Sequence, residues 1–410
     1  MYPELPFSLP FGITIKTYGL CVMVGFLTAT WFTMRRAQRV KCDPDLVLNL
    51  CFLALIFGMI GARVFFVIHY WESQFAHVPN RLLAIVDIRE GGLEFLGAVL
   101  GGVPALLVYL RLKRASMRVY LDLFAPSLMW GLALGRIGCF FNGCCYGGPC
   151  VQTDASGASV PALPWAISFP YGSAAQLRHW EDRLVTIPAE LLVTADGHSG
   201  ASRSFPVPAE ALSMSVERRE GPLRAAAKAQ EALQAAVAAG APEEEVRKLQ
   251  QEAEVAERQR DVHLRKHNLD LLALAQTYPS RANPERIISV SELEDLAAGC
   301  ASLPVHPTQL YASVNAFLLC FLLTALFYVR KRHGVVFGAM LVLYPVARFI
   351  LEIIRTDNPR DVLGLTVSQF ICVLLFLIGV AYLVVLYRFL PQRSPYAVAY
   401  VPPEEPAPRR

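Results

Sequence analysis

Seven stretches of the chain run for about 20 residues with almost no charge: Tyr18–Met34, Leu46–Tyr70, Leu93–Leu110, Tyr120–Gly138, Leu310–Val329, Val335–Ile354 and Val367–Leu386. A hydrocarbon core of roughly 30 Å takes about that many helical residues to cross. The pattern therefore predicts seven transmembrane helices and an all-α integral membrane protein. Gly58, Gly61, Pro104, Pro126 and Pro345 fall inside these runs, where transmembrane helices tolerate Gly and Pro better than soluble ones do. Met1–Lys16 lacks the basic start and small-residue cleavage pattern of a secretory signal, so the first run reads as a retained helix.

Basic residues set the expected orientation. Arg35, Arg36, Arg39 and Lys41 follow the first run, Arg111, Lys113, Arg114 and Arg118 the third, and Arg330, Lys331 and Arg332 the fifth. These three loops share one side, which the positive-inside rule makes cytoplasmic. The N-terminus is then expected outside and the C-terminus inside, as an odd number of spans requires. In a bacterial inner membrane the long segment 139–307 would be periplasmic.

That segment is expected to form a periplasmic head with an insertion over 171–300, between transmembrane helices 1–4 (1–138) and 5–7 (308–390). From Pro208 to about Thr277 its composition shifts to Ala, Glu, Gln, Arg and Leu. Leu223–Ala238 is rich in helix formers, Gly240-Ala241-Pro242 breaks it, and Glu243–Leu274 resumes with Val246, Leu249, Ala253 and Val255. The pattern predicts a helical hairpin. The proline-rich tail, 391–410, reads as a disordered cytoplasmic extension.

Composition adds little beyond this. The 410 residues are 54% hydrophobic with a mean hydropathy of +0.39. A formal net charge of +4 makes no case for a nucleic-acid partner. Ten cysteines are present without the regular spacing of a disulfide framework. Cys21, Cys51, Cys320 and Cys372 fall in apolar runs as small hydrophobes. Cys139, Cys144, Cys145 and Cys150 crowd together, but adjacent cysteines make poor tetrahedral ligands, so no metal or other cofactor is expected. A structural disulfide on the oxidising side, for example Cys150 to Cys300 across the insertion, is preferred to a metal or redox site, with the pairing of Cys139, Cys144, Cys145, Cys150 and Cys300 left open.

Ionisable groups inside the apolar runs carry the chemical signal, because the membrane excludes them at a cost of several kcal/mol. Arg63 lies in the second run and Arg136 near the outer end of the fourth. Arg348, Glu352 and Arg355 share one face of the sixth, with Tyr344 a turn earlier. One such arginine is most often structural. Three in three spans at the outer level fit a phosphate, which guanidinium groups bind through fixed bidentate geometry.

These segments resemble the prolipoprotein diacylglyceryl transferase family. The likeness rests on Tyr18-Gly19-Leu20, Gly61-Ala62-Arg63, Gly91-Gly92-Leu93-Glu94-Phe95, the Gly135–Gly147 stretch, His306–Tyr311, and Tyr344 with Arg348, Glu352 and Arg355. It implies a membrane-bound transferase that moves the diacylglyceryl group of phosphatidylglycerol to the lipobox cysteine thiol of prolipoproteins. It places Arg136, Arg348, Tyr344 and Glu352 in catalysis. Tyr18, Arg63, Asn142, Gly147, His306, Gln309, Tyr311 and Arg355 are assigned to substrate binding. The chain departs from the family pattern with Cys139 for an Asn, Cys144 for a Glu and Leu96 for a His. Glu94, His306 and Tyr18 remain as candidate bases. A catalytically diverged lipid- or lipoprotein-binding paralogue is the alternative; a transporter would show internal repeats, and none is visible.

Overall fold

The structure, a computed structural model, describes residues 4–9, 13–75, 85–86, 92–154, 159–196, 202–240, 242–267, 269, 271–272, 288–355 and 364–394. The chain opens with a short antiparallel pair, β1 (Glu4–Leu9) and β2 (Ile13–Lys16). Four helices follow: α1 (Thr17–Arg39), α2 (Pro44–His69), α3 (Phe95–Leu112) and α4 (Met117–Asn142).

After α4 come β3 (Val151–Thr153) and β4 (Ser159–Pro161), α5 (Ala174–Glu181), and β5 (Leu192–Asp196) with β6 (Ser202–Pro206). Then follow α6 (Ala209–Ser213), α7 (Val216–Ala238), α8 (Glu243–His267) and α9 (Val290–Ala298). The chain continues into α10 (Thr308–Val329), α11 (Val335–Ile354) and α12 (Val367–Arg388). Contacts divide it into two compact units, 148–307 and the remainder.

In the larger unit, α1, α2, α4, α10, α11 and α12 are long and apolar enough to cross a membrane. The third predicted span is α3, 18 residues with Pro104 inside. The chain is a multi-pass membrane protein. Helices α2 and α3 meet backbone to backbone. A Cβ built on Gly61 would stand 2.3 Å from the Gly97 carbonyl oxygen, and one on Gly97 would stand 2.3 Å from that of Gly61. Small residues drive such contacts in lipid, where no hydrophobic force pulls helices together.

The core of this unit includes Val47, Leu50, Leu123, Leu323 and Phe327. Polar groups are buried beside it. Asp122 on α4, fully buried, accepts hydrogen bonds from the backbone N–H of Gly334 (2.7 Å) and Phe337 (2.9 Å), and pairs with Arg330 at 3.0 Å. It thereby caps α11 from another helix, where the helix dipole favours an anion. Arg36 donates to the Leu123 carbonyl at 2.8 Å and to Ser127, which also bonds Thr33. Arg36 and Arg330 were counted among the solvent charges that orient the chain. Both side chains are instead structural donors inside the bundle.

The second unit has its own core around Leu191, Val207, Leu212 and Leu293. His179 is buried and its Nδ1 accepts from the Leu303 N–H at 3.2 Å. In this unit α7 and α8 form a hairpin turned by Gly240, with φ +67°. Gln230 bonds Glu257 across it at 2.6 Å. The three small two-stranded sheets were not read from the sequence. All ten cysteines carry free thiols, so the expected Cys150–Cys300 bridge is absent. The backbone N–H of Cys150 is bonded to Pro304, and Cys300 packs at the edge of the Leu191 core. The expected tail beyond residue 394 lies outside the described residues, as does Gly91 of the glycine motif.

Two outcomes follow. Asp122→Ala strips α11 of its cap and leaves Arg330 buried alone, and should lower stability by roughly 3–5 kcal/mol, read as a fall in melting temperature in detergent. Burial holds the His179 pKa below its ordinary value. The unfolded chain thus takes up the proton first, and the second unit should lose stability as pH falls below about 6.5. Hydrogen exchange of residues 174–181 and 302–305 at pH 7.5 and 5.5 checks this.

Candidate active site

The site is built where α4 and α11 end and α10 begins. Helix α4 stops at Gly143, whose φ of +71° suits a glycine after a helix. The chain then doubles back. The Cys144 N–H bonds the Cys139 carbonyl at 3.2 Å, and Cys145 itself holds a left-handed φ of +63°. The turn is pinned from α10. Gln309 donates its amide to the Cys144 carbonyl and Thr308 its hydroxyl to the Cys145 carbonyl, both at 2.8 Å. Gln309 and Thr308 are both buried. The sulfurs of Cys139, Cys144 and Cys145 consequently all lie within 4.8 Å of one another.

At the end of α11, Glu352 is fully buried and lies 2.5 Å from Arg348 and 3.8 Å from Arg355. Its Oε1 accepts the Thr366 hydroxyl at 3.2 Å, while Thr366 caps α12. Arg348 also donates to Ser368 at 2.9 Å. The carboxylate therefore holds two guanidinium groups in place, and α12 holds the carboxylate. Arg355 and Arg136 come from different helices yet both act on the Cys145 sulfur. That thiol is pushed down chiefly by hydrogen bonds from Cys139 and Cys144, with the two guanidinium groups adding to the effect.

Tyr18 on α1 completes this neighbourhood. It packs over Gly138, where a Cβ would stand 3.1 Å from its ring. Asn142 is the last residue of α4 and is exposed. Gly147 is buried at the end of the same turn, and Tyr344 packs half-buried against the core one turn before Arg348. Tyr311 lies on the first turn of α10. An apolar groove of about 230 Å³ between α11 and α12 is lined by Pro345, Phe349, Cys372 and Phe376.

Other predicted residues stand elsewhere. Arg63 spends its guanidinium on chain carbonyls, Ile85 at 2.7 Å and Gly92 at 3.0 Å, and stacks near Phe66 and Phe75. It fixes the approach to α3. His306 belongs to the 148–307 unit, where its N–H bonds Gly148 at 3.1 Å. Glu94, at the start of α3, is 2.7 Å from His69 at the end of α2. This His–carboxylate pair was missed because the partners are 25 residues apart.

These features define a polytopic membrane protein with a cluster of partly buried arginines and thiols beside an exposed tyrosine. Comparison with known proteins places it more narrowly. The sequence profile described as prolipoprotein diacylglyceryl transferase matches residues 5–193 and 261–385. The chain belongs to this family. The profile leaves 194–260 unmatched, the interval that holds α6, α7 and most of α8.

Three relatives carry the name phosphatidylglycerol–prolipoprotein diacylglyceryl transferase. That of Rhodopirellula baltica is 33% identical over 165 residues, 40% of this chain and 32% of the relative. That of Trichormus variabilis is 35% identical over 158 residues, 38% and 51%. That of Mannheimia succiniciproducens is 32% identical over 162 residues, 39% and 55%. The matched stretch thus spans between a third and about half of their length.

Glu352→Gln removes the anion between Arg348 and Arg355. Stability should fall by about 1.5–3 kcal/mol. Phosphatidylglycerol added to the detergent should raise the melting temperature of the variant more than that of the parent, since a phosphate can replace the lost carboxylate. Equal gains would disconnect these arginines from anion binding.

Proposed function

We propose that the chain transfers the diacylglyceryl group of phosphatidylglycerol to the cysteine thiol of a prolipoprotein, the first step of lipoprotein maturation. The observation that carries this reading is the pair of guanidinium groups, Arg348 and Arg355, that the fully buried Glu352 carboxylate holds together at the end of α11. The relatives' names give the substrates, and the cluster supplies the chemistry they need. A thiolate attacks a glyceryl carbon, the carbon–oxygen bond breaks, and negative charge grows on the departing phosphate. Fixed guanidinium groups in a water-poor site stabilise that charge most where it develops.

Arg136 and Arg348 contact the phosphate in this account. Tyr344, Asn142 and Tyr18 place the headgroup, Glu352 orients Arg348, and Arg355 adds field at the sulfur cluster. Tyr311, Gln309 and Gly147 shape the turn against which the headgroup rests. His306 is assigned to the acceptor peptide, and Arg63 acts by fixing the segment before α3. The protein works in the bacterial inner membrane with its N-terminus periplasmic and its C-terminus cytoplasmic, as the basic loops direct. A diverged paralogue that binds lipid without turnover is favoured by Leu96, Cys139 and Cys144, which stand where the family pattern has His, Asn and Glu.

Arg136→Gln separates the two readings. If Arg136 meets the leaving phosphate, turnover of phosphatidylglycerol with a lipobox peptide should drop by about 10²–10³-fold at unchanged melting temperature. A variant as fast as the parent would remove Arg136 from the chemistry. A folded parent protein that transfers nothing would favour the paralogue.

A further inference from the structure

We infer that Cys139, Cys144 and Cys145 form a three-thiolate site for a thiophilic divalent cation of the zinc class, whose fourth position receives the acceptor thiol. The second half of this inference rests on the transferase reading; the first does not. Adjacent cysteines are ordinarily poor joint ligands because an extended chain sends their side chains apart. Here Gly143 and the left-handed backbone of Cys145 turn the chain, so that Cys144 and Cys145 both face Cys139 at the end of α4.

The separation is close to what coordination needs. Zinc–sulfur bonds of about 2.3 Å place three sulfurs around one ion roughly 4 Å apart. The three sulfurs already lie within 4.8 Å of one another, so small side-chain rotations close the site. The backbone is built to hold them. A left-handed non-glycine residue is costly and persists only where its surroundings impose it. Thr308 and Gln309, both buried, impose it by gripping the two carbonyls. Three thiolates around a divalent ion leave one negative charge, and Arg136 stands one turn before Cys139 on the same face of α4.

Such a site also fills a gap in the chemistry. The described candidates for deprotonating the acceptor are few, and Leu96 is not one. A cation with three protein ligands and one open position binds an incoming thiol as its thiolate, and the proton passes to water. The acceptor sulfur then forms its bond to the glyceryl carbon, the carbon–oxygen bond breaks, and its electron pair leaves on glycerol phosphate. The product thioether is a weak ligand and departs. No oxidant or reductant is needed.

Cobalt(II) is the probe. Full-length protein in detergent, kept reduced and free of oxygen, should take up one equivalent per chain and show a thiolate-to-cobalt charge-transfer band that zinc abolishes. Cys139→Ser and Cys145→Ser should lose it, and Cys21→Ser should keep it. Native mass spectrometry of the parent protein, with and without chelator, gives the same answer if a serine variant fails to fold. A lipobox peptide with a free cysteine should shift the band, and its serine counterpart should not.

No saturable band from folded, reduced protein overturns the site. So does a disulfide joining two of the three cysteines in protein alkylated directly in membranes. A band that the cysteine peptide leaves unmoved overturns the acceptor role alone. A normal band and peptide response without lipid transfer would sustain the site and overturn the transferase reading; transfer by metal-free protein would sustain that reading and overturn the acceptor role of the cation.

Discussion

Two carboxylates with no access to water, one at each end of α11, govern this bundle. Glu352 and Asp122 are each fully buried, and a lone ion in such a place costs several kcal/mol. Each is tolerated because the fold brings it cations and hydrogen-bond donors. Asp122 gathers Arg330 and the start of α11, and so ties α4, α10 and α11 together. Glu352 gathers Arg348, Arg355 and the cap of α12. The same helix, α11, is thus anchored by an acid at each end. Glu352, at the C-terminal end of the helix, holds two guanidinium groups in place.

The candidate site follows from that anchoring. Arg348 and Arg355 cannot drift toward solvent while Glu352 holds them, and the turn after α4 cannot unwind while α10 grips its carbonyls. Rigid supports of this kind matter where charge must be met at a fixed point, because a preorganised donor need not reorganise during the reaction. An apolar groove runs along α11 and α12, the two helices that also carry Arg348 and its partner Ser368.

How much of this was legible in the sequence depends on range. The membrane helices were legible because hydropathy is a local property, and α3 alone is marginal in length. Arg136, Arg348, Glu352 and Arg355 stood out because ionisable groups are rare in apolar runs. Asp122 was overlooked at the edge of the fourth run, and its partners lie on other helices. Arg36 and Arg330 counted as loop charges, yet the Ser127 and Asp122 partners that bury them could not be paired from spacing. Arg63 looked like its fellow arginines, but two carbonyls from the segment before α3 claim it. The cysteine cluster was discounted on sequence adjacency, which a single positive φ at Cys145 reverses.

The central claim is a coupled transfer in which lipid and thiol are consumed together. The measurement that bears on it most directly is product stoichiometry. Purified protein would be incubated with phosphatidylglycerol and a lipobox peptide, with peptide mass and water-soluble phosphate followed together. The account predicts one glycerol phosphate released for each diacylglyceryl group gained by the peptide cysteine, and neither product when that cysteine is replaced by serine. Glycerol phosphate appearing without a modified peptide, or folded protein yielding neither product while an active relative yields both, would contradict it.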